Sequence, residues 1–166
     1  GYPCQIDIVE DLGRIGFAKI CNAYLHDTPA EYVGFVSDDQ FPSRNWLGDA
    51  MNELIEKNGK LIGFNDGKWK GQIATSGIGE AEWLRGNYDG DMFFSGYFGH
   101  YNDVELTLLA MQDNVYCYDP NITLMEVDFD KDTKKVWPQD KALFAERKKD
   151  GFGGRVTDKD LLEAIQ

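Results

Sequence analysis

Two aspartates, Asp38 and Asp39, stand side by side directly after the apolar run YVGFVS at 32–37. Adjacent carboxylates at the end of a buried strand repel each other and are costly to desolvate, and a bound cation resolves that conflict. Magnesium or manganese suits the pair, because these hard ions bind through one or two carboxylates and complete their shells with water and phosphate oxygens. The plainer alternative has Asp39 cap the helix entering at Pro42-Ser43 while Asp38 stays in water. A third carboxylate, Asp103, opens a helical stretch at 102–111. It can cap that helix, a duty Asn102 can also take. Glu105, on the same helix, reads as an exposed glutamate. DFDKDT at 128–133 has the opening of a calcium loop, but Thr133 replaces the turn glycine and Gln139 the bidentate glutamate, so calcium is set aside.

The chain around these residues has 166 positions, 42% of them hydrophobic and 28% charged, with only 5 prolines, a composition that fits one soluble globular domain. Its 17 basic residues face 29 acidic ones, a net charge of −12 that argues against general nucleic-acid binding. The imbalance is uneven: residues 1–130 carry 8 basic and 22 acidic side chains, residues 131–166 carry 9 and 7. An acidic body with a basic tail suits a divalent cation and an anion held together. No apolar run approaches the roughly 20 residues of a membrane span. Cys4, Cys21 and Cys117 are dispersed, with only His26 and His100 to assist them, which disfavours zinc and predicts reduced thiols in a cytoplasmic protein.

Strands alternating with helices must position the carboxylates. The pattern predicts a strand at QIDIV (5–9), a helix over IGFAKICNAYL (15–25), a strand at 32–37, a helix at 46–57 and a strand at 61–64. A turn at Asn65-Asp66-Gly67 then leads to a strand at QIATS (72–76), followed by a short helix at 78–85 and an aromatic, glycine-rich loop. After the 102–111 helix come strands at 115–118 and 121–127 and tail helices at about 139–149 and 158–165, the last opened by a Thr157-x-x-Asp160 capping box. Such alternation argues for α/β with a mainly parallel sheet, whose ligands collect at the carboxyl ends of strands.

Taken together, EYVGFVSDDQFPSRNWL (31–47) closely resembles the strand-to-loop segment of GT-A glycosyltransferases of the family-two type. GRIGFAKICNAYL, with Gly16, Ala18 and Asn22, is similar to the helix preceding that family's metal strand. FNDGKW, ATSGIGEAEWL and SGYFGHYNDVELTLLA follow in the family's order, and the resemblance covers roughly residues 5–128. It implies a GT-A-like three-layer sandwich with a mainly parallel sheet, without about two strand–helix units that the family places ahead of residue 5. The catalytic core spans 1–130, and 131–166 form a basic helical tail.

The implied reaction is metal-dependent transfer of a sugar, with inversion, from a nucleoside-diphosphate sugar to a carbohydrate or other hydroxyl acceptor, a UDP-sugar being the first expectation and a GDP-sugar the second. The resemblance assigns Asp39 to the divalent metal (Mn2+ or Mg2+), Asp38 to the nucleotide ribose, Arg14 to the base and Asp103 to deprotonation of the acceptor. Asn102 departs from the glutamate the family places before that aspartate. The family's later metal ligand, commonly histidine, is absent from PNITLMEVDFD, where Glu126 or Asp128 is the substitute. His100, Tyr101, Asp66 and Trp69 are acceptor-side candidates. Arg155, with Arg147, Lys148 and Lys149, flanks GFGG in a tail that would close over the donor diphosphate, with Gly151, Gly153 and Gly154 as hinge. A non-catalytic carbohydrate- or nucleotide-binding relative and an acidic interaction module are the alternatives.

Overall fold

The structure is a computed structural model and describes residues 2–127 and 136–164. The calcium-like run 128–133 and Asp128 therefore lie outside the described residues. In chain order the elements are α1 (Phe17–Asp27), β1 (Tyr32–Phe35), β2 (Gln40–Pro42), α2 (Trp46–Glu56), β3 (Leu61–Asn65), β4 (Gly77–Glu80), α3 (Ala81–Arg85), α4 (Asn102–Gln112), β5 (Tyr116–Glu126), α5 (Pro138–Lys149), α6 (Gly151–Gly154) and α7 (Lys159–Ala164).

The five strands form one sheet in the order β1-β4-β3-β5-β2. β4 is antiparallel to both β1 and β3, and β2 is antiparallel to β5; only β3 and β5 pair in parallel. The sheet is mixed, which corrects the mainly parallel arrangement expected from strand–helix alternation. The cause is the connection after β3, which has no helix: an eleven-residue loop, 66–76, returns the chain beside β3 in the opposite sense. Even so, β1, β3 and β5 share one direction, so the ends of β1 and β3 lie along the same edge of the sheet.

Successive side chains point to opposite faces of the sheet, and both faces are covered, which makes three layers. Val33 and Phe35 of β1 and Leu61 of β3 face a cluster with Ala18 and Leu25 of α1, Ala81 and Leu84 of α3, and Leu106 and Ala110 of α4. Ile62, Phe64, Ile78, Cys117, Ile122 and Leu124 face Ala50, Met51 and Leu54 of α2 on the other side. A further cluster packs Val104, Leu108 and Leu109 of α4 against Phe144, Phe152 and Val156, so α5–α7 lie on the outer face of α4. Each fully buried side chain of this size contributes about 1.5–3 kcal/mol. The tail is thereby part of the packed body.

Four predicted elements are corrected. QIDIV is not a strand: residues 2–10 have no regular structure, and Ile8 is 96% exposed, because alternation alone gives a strand nothing to pair with. QIATS is loop, and the strand comes after it at Gly77–Glu80, overlapping the 78–85 span expected to be helix, of which only Ala81–Arg85 is helical. The two strands at 115–118 and 121–127 are one strand, β5, whose register with β3 jumps from Tyr118 to Thr123 around Asp119-Pro120. The cap of α7 is Asp158 and not Thr157: its Oδ1 accepts from the Asp160 N–H (2.8 Å) and the Leu161 N–H (3.4 Å).

Candidate functional site

β1 stops at Phe35, and Val36-Ser37 carry the chain to a turn at Asp38-Asp39, which feeds β2. The Ser37 hydroxyl donates to Asp39 Oδ1 (2.7 Å), and the Ser37 N–H donates to Gln40 Oε1 (3.2 Å). Asp39 is half-buried and Asp38 exposed. Asp39 is separated from α2 by the whole of β2, and Asn45, in the left-handed region at φ 62°, is the residue at the head of that helix. The cap alternative for Asp39 is therefore overturned.

Glu126 is brought to this turn by the sheet. It is the register partner of Gln40, and the next residue's N–H, on Val127, donates to the Asp39 carbonyl (3.2 Å). The Glu126 N–H donates to the Asp66 carbonyl (3.3 Å), so the turn feeding β2 and the ends of β3 and β5 come together. Among the described residues no group of three or more His, Cys, Asp or Glu side chains is gathered to hold a metal by itself. A magnesium-like ion takes one or two carboxylates and completes its shell with phosphate oxygens and water, and backbone pairing brings Asp39 and Glu126 to the same end of the β2–β5 pair.

Asp66 is fully buried and its carboxylate organises the 66–75 loop. Oδ1 accepts from the N–H groups of Lys68, Trp69 and Lys70 (2.9, 2.7 and 3.2 Å), and Oδ2 accepts from the Thr75 hydroxyl (2.9 Å). That commits the carboxylate to its own loop and leaves Trp69, 37% exposed, displayed on the surface with the Lys68 ammonium 5.3 Å from its ring centroid. The same loop docks on α4: the Ala74 N–H donates to Thr107 Oγ1 (2.9 Å), and that hydroxyl donates to the Asp103 carbonyl (2.7 Å). A continuous series of short contacts thus runs from the Asp39 turn through Glu126, Asp66 and Thr75 to the first turn of α4.

Asp103 is half-buried there, its Oδ1 accepting from the Val104 N–H (2.9 Å). Asn102 is buried, and Asn102 Nδ2, His100 Nδ1 and Ser76 Oγ have no hydrogen-bond partner among the described residues. Buried polar atoms in that state are uncommon in folded proteins. Tyr101 is turned the other way: its ring stacks on Phe144 of α5 with centroids 4.6 Å apart and planes 20° from parallel. The surrounding aromatic loop is mostly core, with Phe93 and Tyr97 buried, rather than a platform for a sugar ring.

α1 and the turn before it pack against the loop that precedes α4. Asp11 accepts from the N–H groups of Ile15 and Gly16 (2.9 and 3.0 Å) and shapes the turn on which Arg14 sits exposed at φ 49°. Gly16, at φ 99°, lies where a Cβ would come within 2.3 Å of the Phe98 carbonyl oxygen, so only glycine permits this approach of the Arg14 turn to the loop before α4. Asn22 holds the same loop, its Nδ2 donating to the Phe93 carbonyl (2.8 Å) and its Oδ1 accepting from the Phe93 N–H (3.0 Å). Phe93 in turn touches both Phe17 and Phe35, at 5.8 and 5.3 Å between ring centroids.

Arg155 does not join the other candidates. Its Nη1 donates to the Asn87 carbonyl (2.8 Å) and its Nη2 to Asn87 Oδ1 (3.2 Å). The following residue, Val156, packs with Leu108 and Leu109, and Thr157 N–H donates to Gln112 Oε1 (2.8 Å). This places Arg155 beside the C-terminal half of α4, whereas Asp103 is at the other end of a helix about 16 Å long. Arg147 is likewise committed to the protein. Its Nε and Nη2 donate to Glu105 Oε2 and Oε1 (2.9 and 2.6 Å), and its guanidinium lies 3.5 Å from the Phe94 ring centroid.

Glu105, expected to be exposed, is 1% exposed. Besides Arg147 it accepts from the hydroxyls of Tyr88 and Tyr97, the latter at 2.7 Å. Burial, with the Glu105 charge and hydrogen bonds adding to it, pushes both tyrosines far above their ordinary range. Burial alone would lower the Arg147 pKa, but the Glu105 hydrogen bonds and charge outweigh it and the net shift is upward. α4 is buried on most of its circumference, and the mostly apolar run VELTLLA was the available signal that a charge in its first turn has an internal partner. Among the described residues no helix is long and apolar enough to cross a membrane.

Compared with family models, curated proteins and solved structures, the chain matches none of them.

Proposed function

We propose that the chain is a metal-dependent glycosyltransferase that moves a sugar from a nucleoside-diphosphate sugar to a hydroxyl acceptor with inversion. What supports the reading is one observation: the acidic turn after β1, Glu126 opposite it and the head of α4 bearing Asp103 are linked along one end of the sheet. Asp39 and Glu126 would hold a Mn2+ or Mg2+ ion, which neutralises charge on the donor diphosphate as it departs. Asp38, exposed beside them, is available to the ribose, and Arg14 to the base. The Asp103 carboxylate takes the proton from the acceptor hydroxyl as that oxygen attacks the anomeric carbon. Trp69, displayed by the Asp66 loop, offers an apolar face to a sugar ring, and His100, in the loop before α4, stands on the acceptor side.

Incubating the chain with manganese, UDP- or GDP-sugars and a panel of glycoside acceptors tests this by product analysis. The expected outcome is a product of inverted anomeric configuration, with turnover lowered roughly 100-fold or more in Asp103→Asn, the scale of a lost general base. A retained configuration, or an Asp103→Asn variant as fast as the wild type, contradicts the assignment.

A further inference from the structure

One face of α5 follows the segment leading into the head of α4. Asp140, Phe144 and Arg147, spaced i, i+4, i+7, meet in order the backbone of 98–100, the ring of Tyr101 and the carboxylate of Glu105. Asp140 is 1% exposed, and its carboxylate accepts three consecutive backbone N–H groups: Phe98 to Oδ1 at 3.0 Å, Gly99 and His100 to Oδ2 at 2.9 Å each. A carboxylate is tolerated at that depth because these N–H groups replace its water. Tyr101 follows in the left-handed region at φ 69°, a conformation that an aromatic residue keeps only when its surroundings impose it. Those surroundings are the Asp140 grip on one side, the Phe144 ring under the tyrosine and α4 on the other.

We propose that Asp140 is a positioning residue for the transfer reaction. By fixing the backbone of 98–100 it sets the entry of α4 and with it the placement of His100 and Asp103, while leaving the metal and nucleotide end of the site untouched. This rests on the reading of the site as a sugar-transfer centre. It gives the tail a role different from a lid: α5 is the splint against which the base-bearing helix head is held.

The test uses the full chain with Asp140→Asn, which keeps the volume but removes the charge and one acceptor oxygen. Hydrogen exchange is followed over peptides covering 95–103 and 32–40, alongside nucleoside-diphosphate affinity in manganese and steady-state transfer. The expected result is faster exchange confined to 98–100, unchanged nucleotide affinity and donor KM, and kcat lowered roughly 10- to 100-fold, as for a misplacement of about 1 Å in a reacting group. Asp140→Glu, which retains the charge but moves it by one methylene, gives the same split if Asp140→Asn does not fold. Wild-type kcat in a variant whose 98–100 amides have lost protection overturns the proposal, as do unaltered exchange rates there. A wild-type chain that transfers no sugar fails the reading of the site and this proposal with it; an active wild type with an equally active variant overturns the proposal alone.

Discussion

Arg147 and Glu105, 42 residues apart, meet as a bidentate ion pair inside the protein, with side chains 15% and 1% exposed. A pair this deep gains little over an apolar packing of the same shape, yet breaking it leaves a charge stranded. Arg147→Met leaves Glu105 buried with only the two tyrosine hydroxyls, and the expected cost in urea unfolding is about 3–5 kcal/mol. Adding Glu105→Gln removes the stranded charge and keeps an acceptor for the tyrosines, so the double variant is expected to recover part of that loss. A single variant as stable as the wild type contradicts the geometry.

Stability is expected to fall as pH rises above about 9. Burial pushes the Cys21 thiol from its ordinary 9.0 up to about 12. Tyr88, Tyr97 and Tyr116 are also pushed up, burial being the largest cause for each. All four are neutral when protonated, so the folded chain keeps protons that the unfolded chain releases above pH 9 to 10. The unfolded state then binds fewer protons, and the slope of stability with pH is negative. Below about pH 8 these groups contribute no slope, because both states hold their protons. Urea midpoints at about pH 7, 9 and 10.5 check this, and Tyr97→Phe is expected to flatten the upper interval. A flat profile across the series contradicts the burial of these groups.

Much of this arrangement is written locally in the chain, and the rest depends on partners far away. β1, α2, β3 and α4 are legible because apolar spacing is bounded by clear punctuation: Asp38-Asp39 after β1, Asn58-Gly59 after α2 and Asn65-Asp66-Gly67 after β3. β4 is hidden because Gly77 and Gly79 dilute a four-residue strand to a single large apolar residue, Ile78. QIDIV shows the opposite failure, a strong strand pattern that finds no sheet edge. The position of Asp39 after an apolar strand and of Asp103 at the head of a helix was legible from local spacing. Asp66 and Asp140 each spend a carboxylate on three backbone N–H groups of a loop; for Asp66 the loop is its own, next to the Asn65-Asp66-Gly67 turn, whereas for Asp140 no local pattern records which loop. For Asp140 those N–H groups are about 40 residues away. The i, i+4, i+7 stripe of Asp140, Phe144 and Arg147 was present in the sequence, but it mixes an acid, an aromatic and a base, and an apolar-periodicity reading passes over it.

The central claim, that the turn after β1 holds a divalent cation together with a nucleoside diphosphate, is tested most directly by calorimetric titration of UDP and GDP into the full chain. The titration is run with manganese, with magnesium and with a chelator, in the wild type and in Asp39→Ala. Binding is expected with either metal and not with the chelator, and Asp39→Ala is expected to lose the metal-dependent part while its unfolding midpoint stays near that of the wild type, since the half-buried Asp39 side chain lies outside the apolar clusters. Binding that is indifferent to metal, or an Asp39→Ala variant that binds nucleoside diphosphate in manganese as tightly as the wild type, would contradict it.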